Sequence, residues 1–405
     1  MERLFQTPIF IPKPTGQEAA FADLDLKYPA FLMDAHIVSR NVVPAKKIAE
    51  ACDVFVIDPV TNHFVEKVYL TKPSFQKLPH APKEPFKVED LLSNESLRVE
   101  KLVIPTIEYQ ASQDTGLIIL PYLFSESPDD TKFGINLSMI SDSLKYTRDK
   151  KITKPLFAMI NIGSGVLNHT RILNYMIERY DDDFDSKIQG YFIMIDQFDN
   201  KRASDEALHG LAHFVFQLLK NKKDVFLLKI GAFGEILSAI GASGFSSGLA
   251  TGESFYEEGL REKTTGFGRP ISKWSYIPEL FNYVNDEAIK RTDYKCSCPA
   301  CNGIIPSDIY SKKAHFLHRR MDIMATLQKY DRPKRIDLMR ARLEDAIKLA
   351  SHYNKKHALS LDVNHLINWR NVLESAKHWT HEGDQDKKSV DLDKLIHEAR
   401  AQRKQ

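Results

Sequence analysis

A chain of 405 residues with 43% hydrophobic content can bury one large α/β core with an appendage, or two ordinary domains. Four cysteines, three of them within six residues, exclude a disulfide framework and fit a reducing compartment. No run of about eighteen apolar residues occurs, and Met1 to Ala45 lacks an apolar leader pattern, so a cytoplasmic protein without membrane association is expected.

Along the chain, short apolar runs alternate with stretches of helical periodicity, the pattern of a parallel sheet covered by helices. Eight runs are counted: Phe31–Asp34, Val54–Asp58, Leu117–Leu120, Leu156–Asn161, Tyr191–Asp196, Val225–Lys229, Gly244–Leu249 and Trp274–Pro278. Eight runs over some 250 residues predict an α/β fold, a (β/α)8 TIM-like barrel. Cys52 is read as part of an apolar helix end. Proline-rich sequence from Lys72 to Lys87, with a further candidate strand at Leu102–Glu108, marks an insertion near residues 63–115. Leu208, Leu211, Ala212, Val215, Leu218 and Leu219 predict a crossover helix with Ser204 as its N-cap. Asp181-Asp182-Asp183 reads as a solvated turn. The expected division is a barrel over 1–290, a metal-binding subdomain over 291–330 and a basic helical region over 331–405. That last region shows one stripe of Ile336, Met339, Leu343, Ile347 and Ala350 and another of Leu366, Trp369, Val372 and Leu373.

Reactive groups of such barrels sit at the C-terminal ends of the strands. Asp34-Ala35-His36, Asp58, Asn161, Asp196-Gln197 and Lys229 close five of the runs. Each alone could be a helix cap or a hydrogen-bonded structural group, but three carboxylates on one rim suit displacement at an anomeric carbon. One would meet the developing oxocarbenium ion, while another moves protons. Asp58 and Asp196 are the expected pair, with Asp34 in reserve.

Cys296-Ser297-Cys298-Pro299-Ala300-Cys301, followed by His315-Phe316-Leu317-His318, carries thiolate and imidazole ligands at metal spacing. Pro299 and Gly303 supply the tight turns that three converging sulfurs require. Buried reduced thiols would need an apolar setting, and Lys295, Pro299, Asn302 and Gly303 are too polar for one. A structural Zn²⁺ is therefore expected on Cys296, Cys298, Cys301 and one of His315 and His318.

The order Cys-x-Cys-x-x-Cys and then His-x-x-His at the start of a helix is similar to the zinc subdomain of queuine and archaeosine tRNA-guanine transglycosylases. That resemblance, specific over Cys296 to Met324, implies His315 as the fourth ligand. It also implies a barrel in which one aspartate bonds ribose C1′ while another shuttles protons, the zinc being purely structural. Gly248-Leu249-Ala250-Thr251-Gly252-Glu253 is similar to the family's Gly-Leu-x-Val-Gly-Glu turn, so Gly248 and Leu249, with Gln197, are the expected base-facing positions. The chain departs from the family in a shorter Asn302–Ala314 loop and in lacking the Asp-Ser-Gly-Gly-Phe-Gln and Asp-Cys-Val-x-Pro-Thr-Arg strings. Neither catalytic role transfers by motif, and a DNA-acting 7-deazaguanine branch enters beside tRNA.

Lys312 to Lys356 holds thirteen Lys or Arg against five Asp or Glu, a local excess of positive charge within a formal net charge of +2. Arg319, Arg320 and Arg335 are accordingly expected to meet phosphates. The expected partners are tRNA or DNA, with a partner protein or a homodimer also open. The alternatives to base exchange are a zinc-stabilised barrel acting as a nucleic-acid-binding subunit and an unrelated barrel hydrolase.

Overall fold

The computed structural model describes residues 2–184, 187–250, 253–257 and 273–379. The final stretch, whose Leu392, Leu395 and Ile396 are expected from the sequence to form a short apolar face, lies outside them, as do Thr251 and Gly252 of the glycine turn.

Eight strands precede residue 250: β1 (Ile9–Pro12), β2 (Tyr28–Asp34), β3 (Cys52–Asp58), β4 (Ile118–Ile119), β5 (Leu156–Gly163), β6 (Gly190–Asp196), β7 (Asp224–Leu228) and β8 (Gly244–Ser247). Six form a curled parallel sheet in the order β1-β8-β7-β6-β5-β4, and β2 and β3 make a separate parallel pair. β2 packs beside β1 and β3 beside β4. Helices Thr131–Asp149, Thr170–Phe184, Asp205–Leu218 and Phe233–Ile240 connect consecutive strands from β4 to β8. Ser204 caps the third of these, its hydroxyl accepting from the Ala207 amide at 3.1 Å.

Alternation along the strands sorts the core into two layers. Ile9 and Ile11, Ala30 and Leu32, Val56, Phe157 and Met159, Phe192 and Met194, and Phe226 and Leu228 pack together as an inner cluster. Their odd-numbered or even-numbered neighbours, such as Phe10, Phe31, Ile57, Ile160, Ile193, Leu227 and Phe245, join the core beneath the helices. That second core also takes in Phe316, Leu327, Met339, Leu343 and Trp369, so the C-terminal helices share it with the strands.

Several expectations change. The run at Trp274–Pro278 is not a sheet strand of the α/β layer: β9 (Trp274–Ile277) pairs antiparallel with β10 (Asn282–Asn285). The eighth parallel strand is instead β1, whose four residues are too few, and one of them proline, to stand out as a periodic run. Leu102–Glu108 is helical, continuing a π-helical turn at Val99–Val103 into the helix Ile104–Ser112. A short β-branched apolar run does not by itself separate strand from buried helix. Cys52 opens β3 rather than ending a helix, and Asp181 to Asp183 lie within the helix Thr170–Phe184 rather than in a turn. Among the described residues no helix is long and apolar enough to cross a membrane.

Candidate functional site

Two sites emerge, one at the C-terminal ends of the parallel strands and one at the cysteines. At the first, β2 and β3 run in register so that Asp34 stands beside Asp58. Both extend the inward row that begins with Ala30, Leu32 and Val56. Lys13, one residue beyond β1, lies between them, its Nζ 2.5 Å from Asp34 Oδ1 and 3.3 Å from Asp58 Oδ2. Asp58 Oδ1 accepts from the Tyr122 hydroxyl at 2.8 Å and from the Val60 amide at 3.0 Å. The second bond closes the Asp58-Pro59-Val60 turn through the aspartate's own side chain. Asp58 is thus buried and fully engaged, whereas the Asp34 side chain keeps 24% of its surface open.

The charges tune one another. Burial works to lower the Lys13 pKa, but Asp34 and Asp58 outweigh it and push it up to about 12. Burial would raise Asp34, and Lys13 more than offsets this, holding the carboxyl well below its ordinary range. Burial pushes Tyr122 well above its usual value and Asp58 adds to that, so the phenol stays a neutral donor. Lys229 is different. Burial and the neighbouring Lys13 bring it down to about 8, against the pull of Asp34, Asp58 and Glu257. Its Nζ lies 5.1 Å from the centre of the Phe255 ring, and no carboxylate of the described residues is within ion-pair distance of it.

Four of the ten non-glycine residues with positive φ among the described residues lie at the same end. Val60, Gln197, Lys229 and Ala250 have φ of 51°, 53°, 55° and 60°, and each lies just past a strand's C-terminal end. Left-handed conformations of non-glycine residues, a β-branched valine above all, cost free energy and cluster where structure serves a site.

Asp196 sits across the opening, buried, with Oδ1 accepting from the Glu257 amide at 2.6 Å. Asp34, rather than Asp196, therefore shares a cation with Asp58. Gln197 is exposed, and its amide donates to the Phe255 carbonyl at 2.9 Å. Leu249 turns its side chain into the core beneath the helices, and Gly248 is half-buried at the end of β8. Lys13 and Tyr122 were missed in the sequence, since neither closes a recognisable run. Their signal is positional and needs the strand order.

The second site is built by local turns. The Cys301 amide donates to the Cys298 carbonyl at 3.0 Å and the Gly303 amide to the Cys296 carbonyl at 3.1 Å, with Asn302 and Gly303 at φ of 45° and 89°. Asp308 then caps the helix Ile309–Leu327, accepting from the Ser311 amide, and that helix carries His315 on its second turn. His315 Nδ1 lies 3.5, 3.4 and 3.0 Å from the sulfurs of Cys296, Cys298 and Cys301. All four side chains are buried, and their ligand atoms lie within 4.8 Å of one another. In tetrahedral Cys₃His coordination, bonds of about 2.3 and 2.0 Å place sulfur and nitrogen about 3.5 Å apart, so this donor set fits a metal ion. His315 Nε2 donates to the Tyr276 carbonyl at 2.7 Å, leaving Nδ1 as the free lone pair. His318, one turn on, is outside the cluster.

Arg320, expected to meet phosphate, is instead fully buried. It pairs with Glu235, donates to Glu253 at 3.0 Å and lies 4.4 Å from the Tyr276 ring centre. A guanidinium with those partners ties the helix that carries His315 to the helix Phe233–Ile240 before β8 and to the segment after β8. Arg319 is engaged by Glu279, and Arg335 Nε donates to the Leu327 carbonyl at 3.0 Å. Lys312 pairs with Asp286, Lys313 with Glu18, and Arg332 donates to the carbonyls of Ile240, Ala376 and Trp379. Much of the basic stretch is thus spent inside the fold, because long side chains on packed helices find carboxylates and helix-end carbonyls there. Comparison with protein-family models, curated proteins and solved structures finds no match.

Proposed function

We propose that the eight parallel strands close a (β/α)8 barrel whose C-terminal mouth exchanges a guanine-type base in tRNA or DNA, and that the cysteine cluster holds one structural Zn²⁺. The carrying observation is the pair Asp34 and Asp58 meeting on Lys13 at strand ends. Lys13 at 2.5 and 3.3 Å from the two side chains fixes an ionised carboxylate at the strand ends, the group that displacement at an anomeric carbon through a covalent intermediate needs as its nucleophile. The family resemblance of the cysteine segment adds the substrate class.

In this reading Asp34, the more open carboxylate, closes on C1′ as the bond to the departing base breaks. Asp58 holds Lys13, which keeps Asp34 ionised. Asp196, across the mouth, carries protons to the departing base and from the incoming one. The zinc supplies folding energy to the knuckle and takes no part in the exchange.

The test is incorporation of labelled guanine or 7-deazaguanine into tRNA and into duplex DNA. Asp34→Asn removes the anion at nearly constant size, so incorporation should fall by orders of magnitude while the fold persists. Full incorporation by Asp34→Asn rejects the assignment. A second reading has its own support: Lys13 neutralises both carboxylates, as in a purely structural ion pair. If the wild-type protein exchanges no base in either polymer, including when partner proteins are supplied, the nucleic-acid-binding subunit is the better description.

A further inference from the structure

Below the charged rim, the strand register defines one layer of inward-facing residues. Asn161 on β5 pairs with Met194 on β6, Met194 with Leu228 on β7, Leu228 with Ser246 on β8, and Ser246 with Ile11 on β1. Paired residues of parallel strands point to the same face. Met194, Leu228 and Ile11 belong to the inner apolar cluster, so Asn161 and Ser246 face inward with them.

These two are the polar members of that layer, and both are buried, Asn161 at 1% and Ser246 at 1% exposure. Neither the Oδ1 nor the Nδ2 of Asn161, nor the Ser246 hydroxyl, has a hydrogen-bond partner among the described residues. A buried unpaired polar group costs stability, and leucine would fill the Asn161 position without that cost. Lys229, with its Nζ likewise unpaired by any carboxylate of the described residues, stands one residue above Leu228.

We infer that Asn161 and Ser246 form the recognition floor of the mouth, where the carboxamide pairs with an adjacent donor and acceptor on one edge of a planar base. Nδ2 donates to the ligand's ring carbonyl oxygen and Oδ1 accepts from the neighbouring ring N–H, the lactam edge of a guanine-type base, while Ser246 adds one further bond. That the base is guanine-like rests on the base-exchange reading; the need for an adjacent donor and acceptor follows from Asn161 itself. Asn161 is then a specificity-determining residue, with no part in bond breaking.

Equilibrium dialysis of the full chain with labelled guanine tests this, beside thermal melting of the same variants. Asn161→Leu should weaken guanine binding by about 100-fold while leaving the melting temperature unchanged or higher, because two ligand bonds disappear and a buried unpaired amide is removed. Ser246→Ala, a smaller deletion that keeps the fold should the leucine variant misfold, should weaken binding by about tenfold. 1-Methylguanine, whose ring N–H is blocked, should compete poorly. Undiminished binding by both variants, or a wild-type chain that binds no guanine, overturns the inference. So does a large drop in melting temperature at unchanged affinity, which would mark Asn161 as structural. Binding that depends on Asn161 without incorporation into either polymer would sustain the floor and refute base exchange. Incorporation unaffected by Asn161→Leu would do the reverse.

Discussion

The cysteine–histidine knuckle and the cluster at the strand ends differ in how far apart in sequence their parts lie. Cys296, Cys298 and Cys301 are brought together by two consecutive turns, and His315 arrives on the next helix. The strand-end cluster assembles Lys13, Asp34, Asp58, Tyr122, Asp196 and Lys229 from six separate segments, and its contacts join residues 21 to 64 positions apart. A site made by local turns can be specified by a motif. A site made by a sheet is specified by register, and its members carry no spacing signature. Between them runs Arg320, which leaves the helix that carries His315 to reach Glu235, on the helix before β8, and Glu253, after β8.

The largest expected effect separates them. Structural Zn²⁺ binding contributes about 10 kcal/mol or more to folding of such knuckles. Cys298→Ser combined with His315→Ala should abolish metal binding, with one ion per chain the expected content of the wild type on metal analysis. It should also strip hydrogen-exchange protection from residues 296–318 while the inner strands β5 to β7 stay protected. Simultaneous loss of protection in those strands would show that the two regions are one cooperative unit.

Next in size is the tie between them. Arg320→Met leaves the buried Glu235 with only Arg342, 3.6 Å away, and the Tyr276 hydroxyl, which should cost up to about 3 kcal/mol in denaturant unfolding. Pairing it with Glu235→Gln should recover part of that loss. The salt dependence of any nucleic-acid binding should not move, since Arg320 has no exposed surface.

Acid should act on both sides of the tie. Burial lowers His80, whose Nε2 donates to the Pro59 carbonyl behind the mouth, to about 4, and lowers His365, among the C-terminal helices, to about 4. A base whose folded pKa is depressed is protonated first in the unfolded chain, so stability is retained above pH 6.5 and falls as pH drops toward 4. Each histidine contributes up to about 3 kcal/mol of that decline. His365→Phe should flatten the pH dependence of the unfolding midpoint; an unchanged slope would place the acid sensitivity elsewhere.

The smallest effect is electrostatic. With so much of the basic stretch internally paired, replacing Lys334 and Arg335 by Gln should lower the slope of log K against log salt for tRNA or DNA by about one for each phosphate that is no longer neutralised. No change in slope would leave the C-terminal helices out of the interface.

The strand ends at Asp34, Asp58 and Asp196, and Asn161 two residues before the end of β5, were legible because an apolar run closing in a polar residue is visible in the chain. Which of them would meet was not, because register and strand neighbours follow from packing. The basic helix shows the same limit in reverse: Arg319, Arg320 and Arg335 look alike in composition, and only their surroundings separate a buried ion pair from a surface charge. Trp274–Ile277 is a strand, as its pattern implies, yet its partner is β10, and its Tyr276 carbonyl accepts from His315 of the cysteine–histidine cluster. By itself, the sequence determined the elements that depend on local physics: alternating apolar runs, the Ser204 cap and a cysteine–histidine cluster formed by short turns. Only the tertiary structure decided that Lys13 lies between Asp34 and Asp58, that Arg320 is buried and that Asn161 faces inward. Each of those depends on which strands and helices become neighbours, and burial changes the free energy of charged and polar groups far more than anything in their local sequence.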